Sequence, residues 1–323
     1  MTEWSKQFKF NPIHPLINSK NEAITYFTRR DLLGEEVKSI ETLWKLPIAI
    51  KIIKKQKDDG SWKYPGKSEY GENKTLFETY KNLGLLVEKY GFNNQNNAIR
   101  KAAEYIFSCQ TEEGDIRGIY GTQYAPNYSS AIMEHLIHAN YEREPRVEKF
   151  FKWILSMRQD DGGWASPLRT NKVKYLDVVE NSPPLKPFKS KPFSHMMTGV
   201  VLRAFAAHPK YRKSNEAKKA GKLLASRFFK ADKYPDRRTP EYWEKFTYPF
   251  FWTDLLSSLD SLSLIGFTKN EPEIKTALEW FVNKQNEDGT WHLKMLTARG
   301  DKNLKLWIGL AISRVFKRIY RVK

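Results

Sequence analysis

The chain has one cysteine, Cys109, in 323 residues, so an internal disulfide is excluded. A reducing compartment suits that usage, and a cytoplasmic location is the expectation. Long apolar runs are also missing. Nowhere do eighteen apolar residues follow one another, and no transmembrane helix is expected. The opening stretch, MTEWSKQFKFNP, lacks an apolar h-region and does not read as a secretory signal. Strand-like alternation is scarce, which argues against a β fold. There is no glycine-rich phosphate loop, no Ser-His-Asp order and no GxSxG elbow.

What is present is apolar and basic. Hydrophobic residues make up 40% and aromatics 14%, ample material for a core, and the net charge is +18. Such a field favours phosphates, nucleic acid or anionic lipid heads. Lys and Arg are nevertheless spread along the chain, with no basic block and no RNP, zinc-finger or helix-turn-helix pattern. Nucleic acid is therefore not expected as the main partner. Peripheral contact with an anionic membrane and a protein partner both stay open.

The clearest signal is a repeat. The stretch Gln56-Lys-Asp-Asp-Gly60-Ser-Trp62 returns as Gln159-Asp-Asp161-Gly-Gly-Trp164 and as Gln285-Asn-Glu-Asp-Gly289-Thr-Trp291. A weaker copy, Gln110-Thr-Glu-Glu-Gly114-Asp-Ile116, has Ile in the Trp place. The glutamines are spaced by 54, 49 and 126, and the last gap is about twice the others. A degenerate unit is therefore expected near ASRFFKADKYP, residues 225–235. An amphipathic helical pattern precedes each copy, and a polar stretch and a second helical pattern follow it. The sequence thus predicts five helix–loop–helix hairpins after a short helix near Glu22–Asp31. Within each copy, Asp-Gly and Glu-Asp-Gly are turn chemistry, with Gly as a left-handed cap. The loops are too short for an EF-hand. The motif reads as a clasp between neighbouring hairpins.

This clasp resembles the QW-type repeat of squalene and oxidosqualene cyclases. The protein prenyltransferase β-subunits share that architecture, an α/α toroid. The resemblance covers about residues 40 to 323. More narrowly, ITYFTRRDLLG (24–34) and YPFFWTDLLSSLDSL (248–262) look like compact prokaryotic single-toroid proteins of that superfamily. It implies an all-α single toroid with outer helices before each clasp, inner helices after it, and an aromatic cavity. The expected organisation is an N-terminal helical arm, 1–38, and a toroid domain, 39–323. The catalytic motifs do not carry over. No D-x-D-D occurs, and the adjacent acids sit in the clasps. The aromatic-x-His at Phe193-Ser-His195 lacks the Asp-x-Cys of a zinc site, and Cys109 ends an outer helix. No cofactor and no metal are implied.

Polar residues on the inner helices are then the functional candidates. Asp254, Ser257, Ser258 and Ser261 share a face beside Phe251 and Trp252. Asp254 could serve as an acid if burial raises its pKa, or could stabilise a carbocation with the aromatic rings. Against this, it sits in a first helical turn, where a carboxylate is welcome at the dipole. Asp260 lies roughly 240° away around the helix and cannot pair with it. His195, at a helix start, is the second catalytic candidate. Glu78, Tyr80 and Tyr128 occupy the early turns of the first two inner helices as candidate ligand contacts. Glu134-His135-Leu-Ile-His138 is not a zincin, because the Glu precedes both histidines at i, i+3. Arg203 is expected at an exposed helix position, with a diphosphate or carboxylate as the alternative partner. The Pro-rich stretch from Arg169 to Phe193 reads either as a lid near the cavity mouth or as disorder.

Two functions follow from these residues. One is binding, and with it possible conversion, of an isoprenoid or other long apolar ligand, with basic groups at its charged end. The other is a non-catalytic scaffold holding a protein, peptide or nucleic acid. The feature that discriminates them is whether Asp254, His195, Glu78 and Tyr128 converge on one closed apolar pocket, on which a catalytic role for the first would depend.

Overall fold

The computed structural model describes residues 3–67, 71–296 and 301–321. Its helices in chain order are α1 Ile13–Ile17, α2 Glu22–Phe27, α3 Glu41–Trp44, α4 Pro47–Ile53, α5 Lys74–Tyr90, α6 Asn97–Ser108 and α7 Pro126–Leu136. They continue with α8 Pro145–Ser156, α9 Pro167–Thr170, α10 His195–Ala207, α11 Asn215–Ala225, α12 Leu255–Ile265, α13 Pro272–Asn283 and α14 Leu304–Ile319. A π-helical turn, Thr28–Leu33, extends α2. Two short parallel strands, β1 Lys245–Phe246 and β2 Lys294–Met295, join the last two hairpin loops.

Local chemistry sets the helix starts. Asn73, Asn96, Ser194 and Ser214 cap α5, α6, α10 and α11, each side-chain oxygen accepting from a first-turn N–H. Proline opens α4, α7, α8 and α13, where its missing N–H has no helical partner to lose. Pro47 also splits the first outer pattern into α3 and α4, because its ring cannot continue a helix from the preceding turn.

Two classes of helix result. The outer helices α6, α8, α11 and α13 bury one apolar stripe. The inner helices α7, α10, α12 and α14 are buried over most of their circumference, and α10 is buried from His195 through Ala206. Helices α5, α7, α10, α12 and α14 follow one another around a ring, each packed on the next. Between α14 and α5 stands α2 with its π turn, which touches both. Trp4, Phe8, Leu16, Ile24, Phe27 and Leu32 accordingly belong to the same core as the hairpins. The fold is an α/α toroid of five helical hairpins with an N-terminal helix.

The clasps strap the outside of this ring. Gln56 Nε2 donates to the Ala98 carbonyl at 2.8 Å, at the start of the next outer helix, and to Gly60 O at 2.9 Å. Gln110 does the same to Arg146 O and Gly114 O, both at 2.8 Å. Gln285 closes the circle: it donates to Phe10 O at 2.9 Å and accepts from Phe10 N at 3.0 Å. Gln159 instead holds the Pro-rich segment through Phe188 O and Lys191 O, both at 2.9 Å.

The tryptophans are fully buried. Trp62, Trp164 and Trp291 each donate Nε1 to a carbonyl ten residues earlier at 2.8 Å. In the three Trp-bearing clasps the acid before glycine, Asp59, Asp161 or Asp288, accepts from the N–H two residues on. Asp59 accepts from the Ser61 hydroxyl and N–H, which holds its carboxyl down at about 2. Gly60 has φ +86° and a Cβ there would strike the Lys101 carbonyl, so this position requires glycine.

The degenerate fourth unit keeps its tryptophan farther along the chain. Trp243 is fully buried and donates to Lys230 O at 3.0 Å. The intervening residues hide it from a spacing argument.

Candidate functional site

The centre of the ring is filled. Arg203 of α10 is buried, not exposed as its sequence position suggested. Its Nε lies 2.8 Å and its Nη2 2.7 Å from Glu134 Oε2 of α7. Both inner helices present nearly all sides to protein, so a mid-helix arginine has no route to water and needs a carboxylate partner. Tyr80 of α5 packs beside this pair, and its ring stacks on His135 at 5.5 Å. Burial pushes the Tyr80 hydroxyl up to about 12. Gly84 leaves space for His135, since a Cβ there would lie 2.6 Å from Nε2.

Below the plug, Glu88 receives His135 Nδ1 at 3.1 Å and His138 Nδ1 at 2.7 Å. Burial works against charge on His138, but Glu88 beside it overrides this and raises its pKa to about 9. Glu88 itself also resists burial and is held well below the usual carboxylate range by His138. Among the described residues no group of three or more His, Cys, Asp and Glu side chains is arranged to hold a metal ion.

Asp254 caps α12 and is fully buried. Its Oδ1 accepts from Ser257 N at 2.7 Å, while its own N–H donates to Ser257 Oγ at 3.0 Å. Oδ2 has no hydrogen-bond partner, and neither has Ser258 Oγ. Burial outweighs the Ser257 bonds and the field of Arg203, and raises the Asp254 carboxyl to about 7. The helix-start reading and the raised-acid reading thus both describe this residue.

His195 lies elsewhere. Its ring packs on Trp243 at 4.5 Å with Nδ1 3.5 Å from Asp232 Oδ2, and burial lowers its pKa to about 4. Asp232 also ties down the α10 start through Ser194 Oγ and Met196 N. Glu78 pairs with Lys81 at 2.8 Å and with Asn82 at 3.2 Å. Tyr80, Tyr128 and Phe251 do meet, with centroids 5.8 to 6.3 Å apart, and Trp252 packs on Phe251 at 4.7 Å. Asp254, His195 and Glu78 therefore do not converge with Tyr128 on a closed pocket.

Two open cavities lie on either side of the plug. One, of about 410 Å³, sits at the N-terminal ends of the inner helices. Tyr120, Tyr175, Tyr234, Tyr242, Trp252 and the two methionines Met196 and Met197 line it. Arg237 lies over Trp252 at 3.9 Å, and Arg169 is bidentate to Asp236 at 2.6 Å. The Pro-rich segment is an ordered wall here, carrying Arg169, Val173 and Tyr175 to the cavity. Thr122 and Gln123 bind its backbone at Val179, Ser182 and Leu185. Asn127, 4% exposed, donates Nδ2 to Tyr120 OH at 3.3 Å, but its Oδ1 has no partner. No sequence cue points to Asn127 or Tyr120, since neither stands in a periodic or repeated position.

The second cavity, of about 700 Å³, lies at the opposite ends of the inner helices. Arg30, Arg314, Lys317 and Arg318 are among its lining residues. Spacing alone could have found the last three, which recur at helical intervals on α14. Neither cavity is lined by Asp254 or His195.

With this geometry in place, the chain can be compared with known proteins. The squalene-hopene cyclase C-terminal domain matches residues 74–178 and 127–305, more than half of the chain.

The chain belongs to that family.

Its members' toroid is what the ring and clasps build. Among solved structures, a ligand-free variant of the type II terpene cyclase MstE from Scytonema is 13% identical. That match covers 96% of this chain and 98% of that one, with a TM-score of 0.47. The same enzyme in complex with geranylgeranyl dihydroxybenzoate is 11% identical over 98% and 87% of the two chains, with a TM-score of 0.45. A protein from Actinoplanes is 14% identical over 98% and 90%, with a TM-score of 0.44. No curated protein sequence matches the chain. No described helix is long and apolar enough to cross a membrane.

Proposed function

We propose that this toroid binds a largely apolar, isoprenoid-type ligand in the aromatic cavity at the N-terminal ends of its inner helices. The observation that carries the reading is the lining itself. Four tyrosines, Trp252 and two methionines surround a space of about 410 Å³, and the buried Oδ1 of Asn127 lacks a partner. Pockets for small ligands combine apolar and aromatic walls with convergent polar groups, which here include Asn127, Glu72, Arg169, Asp236 and Arg237. A buried acceptor without a donor is costly, and a ligand hydroxyl would satisfy it. Membership of the squalene-hopene cyclase family supports the isoprenoid class.

The reading is of binding first. Asp254 and His195 do not line the cavity, and the Tyr80–Arg203–Glu134 plug occupies the position of a central chamber. One observation favours a second step: the unpartnered Oδ2 of Asp254 and its raised pKa suit a proton donor to an alkene. That step needs an opening between Trp252 and Asp254.

Calorimetric titration with farnesol tests the binding. Saturable binding that weakens at least tenfold in Trp252→Ala and in Asn127→Leu supports the proposal. Absence of binding, or an affinity unchanged from wild type in both variants, overturns it. Turnover lost in Asp254→Asn with binding retained would support the proton-transfer step.

A further inference from the structure

The second cavity shares no residue with the aromatic one, and the central plug separates them. On α14, Arg314, Lys317 and Arg318 recur at i, i+3 and i+4, which puts them on one helix face, and Arg321 follows just past the helix end. All four line the 700 Å³ cavity, and Arg30 joins them from the π turn after α2. Three carboxylates face the same space: Asp31, Glu88 and Asp260. Counting the protonated His138, six cations against three anions leave a surplus of three positive charges.

The carboxylates are already engaged. Asp31 is shared by Arg30 Nε at 2.6 Å and by Arg314, whose Nε and Nη2 lie 2.9 and 2.5 Å away. Glu88 is held by two histidines. Asp260 is held by Arg318, whose Nε donates to Ser263 Oγ. Among the described residues Lys317 donates to the Asp31 and Leu32 carbonyls and to no carboxylate, and Arg321 has no ion-pair partner. Cations in a last helical turn complement the dipole, but that explains neither Arg30, on another element, nor their concave arrangement. Deeper in, Phe27, Val87, Tyr248 and Leu264 give the cavity an apolar floor.

We propose that this cavity is an anion site for a phosphoryl group, with Arg30, Lys317, Arg318 and Arg321 as its donors. Guanidinium forks match phosphate oxygens, and several converging on one concavity select phosphate over a single carboxylate. The phosphoryl group belongs either to a lipid headgroup, with acyl or prenyl chain on the apolar floor, or to a soluble phosphate.

The test must separate a site from the bulk charge of +18. Inorganic pyrophosphate is titrated calorimetrically into the wild type, into the double variant Arg30→Gln/Arg321→Gln, and into Lys218→Gln/Lys222→Gln. The last pair lies on the exposed face of α11 and removes the same charge. A loss of tenfold or more in the arginine variant, with the lysine variant unchanged, supports the site. Equal losses in both, or no binding in the wild type, overturn it. Should the double variant not fold, Arg321→Gln, at an exposed position, gives the same reading. Co-sedimentation with phosphatidylcholine vesicles, with and without phosphatidate, distinguishes the sources. Binding that needs phosphatidate and is released by pyrophosphate assigns a lipid headgroup; pyrophosphate binding without vesicle binding assigns a soluble phosphate.

Discussion

Replacing Arg203 by Met is the most direct probe of the filled centre. The Arg203 and Glu134 side chains are 1% and 7% exposed, so the pair belongs to the buried regime and not to surface pairs worth ~0–1 kcal/mol. Removing Arg203 strands the Glu134 carboxylate, whose ion-pair partner among the described residues is that guanidinium. The expected loss is about 3–5 kcal/mol. Glu134→Leu should cost a similar amount, because it strands the guanidinium instead. The double variant Arg203→Met/Glu134→Leu replaces both charges by apolar groups of similar volume and should come out within about 1–2 kcal/mol of wild type. The coupling energy of the cycle is then several kcal/mol, well above the ~0.5 kcal/mol expected for independent sites. Urea unfolding at neutral pH, monitored by circular dichroism, measures all four proteins. A single-variant loss below 1 kcal/mol, or a double-variant loss equal to the sum of the singles, would refute the reasoning. Either result would mean that water reaches the ring centre and solvates the stranded charge.

Other predictions follow from the clasps and from Asp254. Gln285→Ala removes both bonds to Phe10 and should cost about 1–3 kcal/mol, with proteolysis of the N-terminal segment accelerating before global unfolding. Gly60→Ala combines a positive φ with a backbone clash at Lys101 and should destabilise by at least ~1 kcal/mol in thermal melts, whereas Gly34→Ala, with open space around it, should cost less. Asp254 has a folded pKa near 7 against an ordinary value of 3.8, so the folded state holds its proton more tightly. Its contribution is fully present below about pH 4 and is lost as pH rises through 7, by up to about 4 kcal/mol. Asp254→Asn keeps the helix cap and should flatten that slope; unfolding midpoints at pH 4.5 and 7.5 that change equally in both proteins would contradict the assignment.

Hairpin order, clasp turns and helix starts could be read in the chain because each depends on near neighbours. Asp59 is bonded to Ser61 two residues on, and Trp62 to a carbonyl ten residues back. The exception among the clasps is instructive. Trp243 serves the fourth unit from a displaced position, and only its burial reveals it. Asp254 could be read as a helix cap from its place before Leu255, but its solvent exposure could not, and burial is what lifts its pKa.

The sequence by itself determined an all-α repeat, because period 3.6 and Asp-Gly turns are local properties. Tertiary structure alone decided what the ring encloses. Whether Arg203 meets water or Glu134 depends on helices 69 residues apart in sequence. The closing of the circle at Gln285 and Phe10 spans 275 residues. The aromatic and basic cavities likewise draw residues from several hairpins, and no spacing along one chain encodes which side chains face a shared void.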